Sequence, residues 1–259
     1  MKNIYQKILE IQRVGERAAL CTIVSTKGST PLKAGAKMIV WEDGRIFGTI
    51  GGGNLENDVI PSAIKVLKDN TNQLFNHDLQ TQHGMCCGGK LEIYIEPIMQ
   101  AKRLYVFGAG HIGKSIVEYA RDLDFEIFVI DDREQIFDDW ETGDVNKMMV
   151  DFSDILPKLP FNDSTFIVIA SYEHSIDREI LAHCIQQPHA YLGMIGSKRK
   201  IKITNEMLIS SGIATKEQLD KVRMPIGVDI NAEDHFEIAI SIVAELIKAK
   251  NKISVDGVP

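Results

Sequence analysis

Arg103-Leu104-Tyr105-Val106-Phe107 is an apolar run of strand length that ends directly on Gly108-Ala109-Gly110-His111-Ile112-Gly113. A helical stretch follows over 115–123, then a second apolar run, Phe125-Glu126-Ile127-Phe128-Val129-Ile130-Asp131. Glycines in a G-x-G-x-x-G spacing between a strand and a helix constrain the fold strongly. The first permits a tight turn, the second lets backbone approach a pyrophosphate at the helix N-terminus, and the third allows the helix to lie close to the strand. Asp131, closing the next strand, is placed to accept from a ribose hydroxyl. Further strand candidates at 147–150, 165–170 and 190–195 are separated by segments of helix length, as a doubly wound parallel sheet requires. A last helix is expected over 232–250 with Asn231 as N-cap. The back half, residues 100–259, therefore reads as a Rossmann-like nucleotide-binding domain. A fold of this kind that has lost its ligand and keeps the glycines for packing is the alternative.

The preceding 99 residues have a different rhythm. Ile4, Ile8 and Ile11 recur at helical spacing and lead into the strand-like run Ala18-Ala19-Leu20-Cys21-Thr22-Ile23-Val24. Asp43-Gly44 between two apolar runs, 38–41 and 45–50, predicts a hairpin. Leu55, Val59, Ala63, Ile64 and Leu67 form one helical stripe, in which Pro61 must stand in the first turns or kink the helix. Leu91, Ile93 and Ile95 alternate with Glu92, Tyr94 and Glu96 as in a half-buried strand. The fold class is α/β, with an N-terminal mixed α/β domain (1–99) followed by the Rossmann-like one.

Composition narrows the class of function. The 259 residues are 44% hydrophobic and 25% charged with net charge −7, which suits a globular chain and gives no footprint for nucleic acid. The N-terminal lysines are not followed by an apolar signal region, and no stretch approaches the roughly 20 apolar residues of a membrane span, so a cytoplasmic protein is expected. Four cysteines, Cys21, Cys86, Cys87 and Cys184, are too few and too scattered for a disulfide framework, and they form no zinc pattern. Cys21 and Cys184 lie in apolar segments and read as core.

Several short segments could carry chemistry. Gly51-Gly52-Gly53-Asn54 precedes a helix, so its backbone N–H groups could hold a phosphate or oxyanion; the simpler reading is a turn joining strand to helix. Gly28-Ser29-Thr30-Pro31 could line a pocket with hydroxyls or only make a turn. In Met85-Cys86-Cys87-Gly88-Gly89 a thiolate could ligate a soft metal or carry sulfur, or the cysteines could simply pack inward. His111 is expected to face the nucleotide crevice. Tyr172-Glu173-His174-Ser175-Ile176-Asp177 follows a strand at the sheet's carboxyl end, where His174 could line the crevice; alternatively Ser175 is a helix N-cap with Asp177 and Glu179 favouring the dipole. Ser197-Lys198-Arg199-Lys200 reads as a solvated charge run at a helix start. No Ser/His/Asp order or metal-ligand helix motif announces a catalytic centre.

Taken together, Gly28-Ser29-Thr30-Pro31, Gly48-Thr49-Ile50-Gly51-Gly52-Gly53-Asn54-Leu55-Glu56, Cys87-Gly88-Gly89 with Glu96-Pro97, and Gly108-Ala109-Gly110-His111-Ile112-Gly113 resemble the XdhC/CoxI-type xanthine dehydrogenase accessory proteins. Tyr191-Leu192-Gly193-Met194-Ile195-Gly196 and Pro225-Ile226-Gly227-Val228-Asp229-Ile230 continue the likeness over nearly the whole chain. The stretch Ser171-Tyr172-Glu173-His174 departs from it, keeping one histidine where relatives carry a Thr-His-Asp-His-like run.

The resemblance implies a chaperone rather than a turnover enzyme. Such a protein binds the molybdenum cofactor (molybdopterin), protects it while a cysteine desulfurase supplies the terminal sulfido ligand, and delivers it to an apo molybdenum hydroxylase of the xanthine dehydrogenase type. It implies Cys87 as the functional thiol and molybdenum ligand, with Cys86 an extra. The implied cofactor-binding positions are Gly28, Ser29, Thr30, Gly51, Gly52, Gly53, Glu56, Cys87, Gly108, Gly110, His111, Gly113 and Asp131. A homodimer is expected, because a two-fold interface is the commonest way to add walls around a large cofactor. The competing readings are an NAD(P)-dependent oxidoreductase using the Rossmann half directly, and a nucleotide-binding regulatory module.

Overall fold

The structure, a computed structural model, describes residues 3–79, 89–141, 143 and 145–255. The chain divides into two compact units, the first ending at Gln100 and the second spanning Ala101–Val255.

The first unit runs α1 (Ile4–Val14), β1 (Ala18–Lys27), β2 (Lys37–Trp41), β3 (Ile46–Gly48), α2 (Gly53–Asp69), β4 (Gln73–Asp78) and β5 (Lys90–Pro97). Its strands form one antiparallel sheet in the order β3-β2-β1-β5-β4. Strand alternation assigns the two faces. Ala19, Cys21 and Ile23 pack with Val59, Ala63 and Val66 of α2, whereas Ala18, Ile39 and Trp41 pack with Ile11 of α1. The hairpin forms where Asp43-Gly44 predicts it: Gly44 takes φ +82°, and the Asp43 carboxylate accepts the Arg45 N–H at 3.0 Å. Two features differ from expectation. Pro61 stands well inside α2, not in its first turns. β4 has no clear strand signal, because Leu74 is exposed while Phe75 packs inward, and its pairing with β5 decides it.

The second unit runs β6 (Arg103–Phe107), α3 (His111–Ala120), β7 (Glu126–Asp131), β8 (Asn146–Met149), α4 (Phe152–Ile155), β9 (Thr165–Ile169), α5 (His174–Cys184), β10 (Tyr191–Met194), α6 (Lys198–Ser210), α7 (Lys216–Leu219) and α8 (His235–Val255). All five strands are parallel, in the order β10-β9-β6-β7-β8. Strands covered on both faces are near-continuously apolar, and β6 and β9 are buried along their whole length with only their first residues, Arg103 and Thr165, polar. Leu104 and Val106 face α3 and α8, whereas Tyr105 and Phe107 face Ile180 and Leu181 of α5. The order reverses between β6 and β9, so their carboxyl ends define the switch point where such sheets bind ligands. α8 starts later than expected: Asp234, not Asn231, caps it, accepting from the N–H groups of Phe236 (2.9 Å) and Glu237 (2.8 Å). Asn231 takes a left-handed φ of +54° in the loop before it.

Candidate functional site

The glycine loop of the second unit shows why its spacing is needed. Gly108 adopts φ +113°, and a Cβ there would overlap the Ala170 carbonyl at the end of β9. A Cβ on Gly113 would overlap the Gly108 carbonyl, so α3 reaches β6 only because that carbon is missing. Gly110 differs. It caps α3 with no side-chain hydrogen bond, and a Cβ there would meet only Arg133 Nη2, at 3.9 Å. The open backbone is thus at Gly110, beside a helix N-terminus and a guanidinium, both of which favour an anion.

Asp131 is not open to a ribose. It is fully buried, and its Oδ2 accepts the Ala109 N–H at 2.7 Å and Arg133 Nη2 at 2.8 Å. Its Oδ1 accepts from Arg133 Nε at 2.8 Å and from the Arg133 N–H at 3.1 Å. Burial pushes this carboxyl up, but the Arg133 fork and the Ala109 and Arg133 N–H groups outweigh burial and hold it below the usual carboxylate range. Its role is to pin the glycine loop to the end of β7. The neighbouring Asp132 has the vacant acceptor: its Oδ2 takes the Tyr172 hydroxyl at 3.0 Å, while its buried Oδ1 has no hydrogen-bond donor among the described residues. Arg133 lies 4.7 Å from the centre of the Tyr172 ring, joining the loops after β7 and β9.

His111 is exposed at the first position of α3, with its ring 5.3 Å from that of His235 on α8.

A cleft of about 1000 Å³ opens over the carboxyl ends of β9 and β10, lined among others by His174, Asp177, Ile195, Lys198, Lys200 and Val228. Here α5 begins at His174 after Glu173, so Ser175 is not its cap. Asp177, 2% exposed, accepts the Ser171 N–H at 2.9 Å and hydroxyl at 2.6 Å through Oδ1, and its Oδ2 lies 3.4 Å from His174 Nδ1. Burial raises the Asp177 carboxyl, against the opposing Ser171 and His174 interactions. The i, i+3 spacing of His174 and Asp177 was the available sequence signal; the Ser171 partnership needed the fold. Ser197 does cap α6, accepting the Lys200 N–H at 3.4 Å.

In the first unit the N–H groups of Gly51-Gly52-Gly53 are largely committed already. Glu56 Oε1 accepts from Ile50 N–H (3.2 Å), Gly52 N–H (3.0 Å) and the Thr49 hydroxyl (2.5 Å), and Thr49 Oγ1 accepts the Gly51 N–H (3.2 Å). Glu56 is therefore the loop's internal anion, and the expectation of bare N–H groups is corrected for Gly51 and Gly52. At Gly28-Ser29-Thr30, Gly28 takes φ +77° and the Thr30 hydroxyl donates to Leu32 O at 2.9 Å. A Cβ on Gly89 would overlap the Ser29 carbonyl, so this turn and the C-terminal end of the Cys87-Gly88-Gly89 motif are in direct backbone contact. Cys86 and Cys87 themselves lie outside the described residues. Cys21 and Cys184 are buried, with burial pushing the Cys21 thiol up to about 12, as core cysteines. Among the described residues no cluster of three or more His, Cys, Asp or Glu side chains could hold a metal ion, and no helix is long and apolar enough to cross a membrane.

Comparison with known proteins agrees with this architecture. Residues 104–246 match the XdhC Rossmann domain and residues 11–78 match the XdhC and CoxI family. YqeB of Escherichia coli is 32% identical over 255 residues, 96% of this chain but 46% of that protein, so the chain spans less than half of its length. A Bacillus subtilis protein described as a probable xanthine dehydrogenase subunit is 23% identical over 98% of this chain and 100% of its own. The crystal structure of a xanthine dehydrogenase from Bacillus halodurans shares the fold, with TM-score 0.52, 22% identity and 95% of both chains covered. With both units matched in order, the chain belongs to the XdhC and CoxI family.

Proposed function

We propose that this protein is an accessory factor in the maturation of a xanthine dehydrogenase-type molybdenum hydroxylase. It binds the molybdenum cofactor, keeps it while a cysteine desulfurase provides the sulfido ligand, and passes it to the apo-enzyme. The observation that carries the reading is the open Gly110 backbone at the α3 N-terminus beside Arg133, in a chain with a relative named for xanthine dehydrogenase.

The residues present fit the polar end of such a group. Gly110 leaves space that a larger side chain would fill, the α3 N-terminus and Arg133 suit a phosphate, and the undonated Oδ1 of Asp132 suits a hydroxyl. When bound, the cofactor supplies the molybdenum that the client hydroxylase uses. The chain's own part is to hold and orient it, with Asp131 fixing the loop and Cys87 offering a thiolate. A carrier of this kind turns nothing over and asks only for binding groups. A homodimer is part of the proposal, to wall off the cofactor.

Pterin fluorescence after oxidative release from purified protein tests the reading. A stoichiometric pterin signal, with reactivation of apo-hydroxylase, supports it. No pterin, together with oxidation of a reduced nicotinamide, would replace it with the oxidoreductase reading; nucleotide binding without either would leave a regulatory module.

A further inference from the structure

Resting on the homodimer of the proposed function, we infer that its surface is the outward face of α8, on which a second copy of this chain lays its own α8 antiparallel about a two-fold axis. Ile240 then packs over the partner's Ala244, and Glu237 meets the partner's Lys248.

A helix that covers one side of a sheet needs one apolar stripe, and α8 has two. The inward stripe, Ala239, Ile242, Val243 and Leu246, is buried in one core with Ile116 and Val117 of α3. On the outward side Phe236, Ile240 and Ala244 follow one another at four-residue spacing and are all exposed, Phe236 by 48% and Ile240 by 49%. The partly buried Ile247 continues the row. Single apolar side chains on a surface are ordinary, whereas a row along one helix marks a face that packs against a partner. The residues of the row and its flank identify that partner. Ala244 is small, so a facing helix can approach closely there and seat a larger side chain. Glu237 and Lys248, both exposed, stand about three turns or 16 Å apart along α8, and so flank the row on the same side, the acid toward its start and the base toward its end. In an antiparallel pair the groups on one side of the seam meet, early residue against late. A two-fold axis passing near Ile242 and Val243 brings Glu237 to the partner's Lys248 twice, and the same register sets Ile240 over the partner's Ala244. The face is thus its own complement in shape and charge, as an isologous interface requires. A parallel pairing would set Glu237 against the partner's Glu237 and Lys248 against the partner's Lys248, which like charges oppose.

The experiment is sedimentation equilibrium of the full chain from nanomolar to micromolar concentration, with a thermal melt of each variant. The expected result is a wild-type dimer and an Ile240→Asp chain that stays monomeric with an unchanged melt, because that side chain is half exposed. Glu237→Lys and Lys248→Glu, taken singly, should each weaken the dimer about tenfold by setting like charges together in both symmetric places. The chain carrying both changes should recover the wild-type association, since the pair re-forms with its signs exchanged. That recovery decides the register, because Glu237→Lys alone also removes the acceptor of the Glu233 N–H, at 2.7 Å. A monomeric wild type overturns the inference, and loss of delivery to apo-hydroxylase in Ile240→Asp would then assign the face to the client enzyme. Undiminished association in Ile240→Asp overturns it too, because the copies would join elsewhere, and so does a doubly changed chain no tighter than the single variants. Pterin release from the wild-type protein is read separately, so failure of the α8 pairing and failure of the maturation reading are distinguishable.

Discussion

Arg133 closes on Asp131 through two side-chain nitrogens, Nε and Nη2, each 2.8 Å from a carboxylate oxygen, and so locks the end of β7 to the glycine loop that Asp131 also holds. The acid at the position that commonly reads a ribose serves here as an internal strut. Replacing Arg133 by Ala leaves a buried carboxylate with backbone donors alone. Loss of these charge-assisted bonds should cost about 2 kcal/mol, read as a lower urea midpoint, and should weaken any phosphate-bearing ligand. A variant as stable as wild type would show that the fork is idle.

The three glycines of the loop should separate sharply. Gly108→Ala combines a left-handed φ with overlap of the Ala170 carbonyl, and Gly113→Ala overlaps the Gly108 carbonyl. Each should cost about 2 kcal/mol or more, seen in thermal melts. Gly110→Ala meets only Arg133, so its melt should stay within about 0.5 kcal/mol of wild type, while Gly110→Val should keep the fold and lose the phosphate-bearing ligand.

In the first unit, Glu56→Ala removes the acceptor shared by Ile50 N–H, Gly52 N–H and the Thr49 hydroxyl. The expected destabilisation is about 2 kcal/mol, with faster amide exchange confined to the 50–53 loop. Glu56→Gln keeps an oxygen acceptor and should lose less.

Asp131 and Asp177 should contribute to pH dependence with opposite signs. The Asp131 carboxyl is held below its ordinary value, so its contribution is complete above about pH 4 and is lost as pH falls through the folded value. Asp177 is raised by burial, so its contribution is present below about pH 4 and is lost as pH rises through the folded value. Denaturation series from pH 3 to 7 should therefore show Asp131→Asn losing most relative to wild type at pH 7. Asp177→Asn should compare better with wild type at pH 7 than at pH 4. Parallel curves for the two variants would contradict the assigned environments.

The thiol proposal makes a separate demand. Cys87→Ser should abolish cofactor retention or delivery to apo-hydroxylase with the fold intact, and Cys86→Ser should change either slightly. The proposal rests on the resemblance, which matches Cys87 and not Cys86, and on the two glycines that follow Cys87 in the sequence. Equal loss in both variants would indicate a dithiol site, and full activity in Cys87→Ser would end the proposal.

Features that depend on near neighbours in the chain were legible in the sequence. The Asp43-Gly44 hairpin, the largely apolar runs of β6 and β9 and the spacing of Gly108, Gly110 and Gly113 follow from turn chemistry, two-sided burial and close helix–strand approach, each readable within a dozen residues. Whatever depends on which groups find partners across the fold was settled by packing alone. β4 became a strand because β5 offered it a ladder, and the Ile50 and Gly52 N–H groups were taken by Glu56 from the following helix. Asp131 was diverted from ligand to Arg133, leaving Asp132 with the vacant oxygen, and Asp177 was drawn inward to orient His174. A carboxylate in a sequence shows only that an acceptor exists. Which donors reach it first is a matter of three-dimensional proximity, because buried acceptors must be satisfied and the nearest donor in space is often distant in sequence.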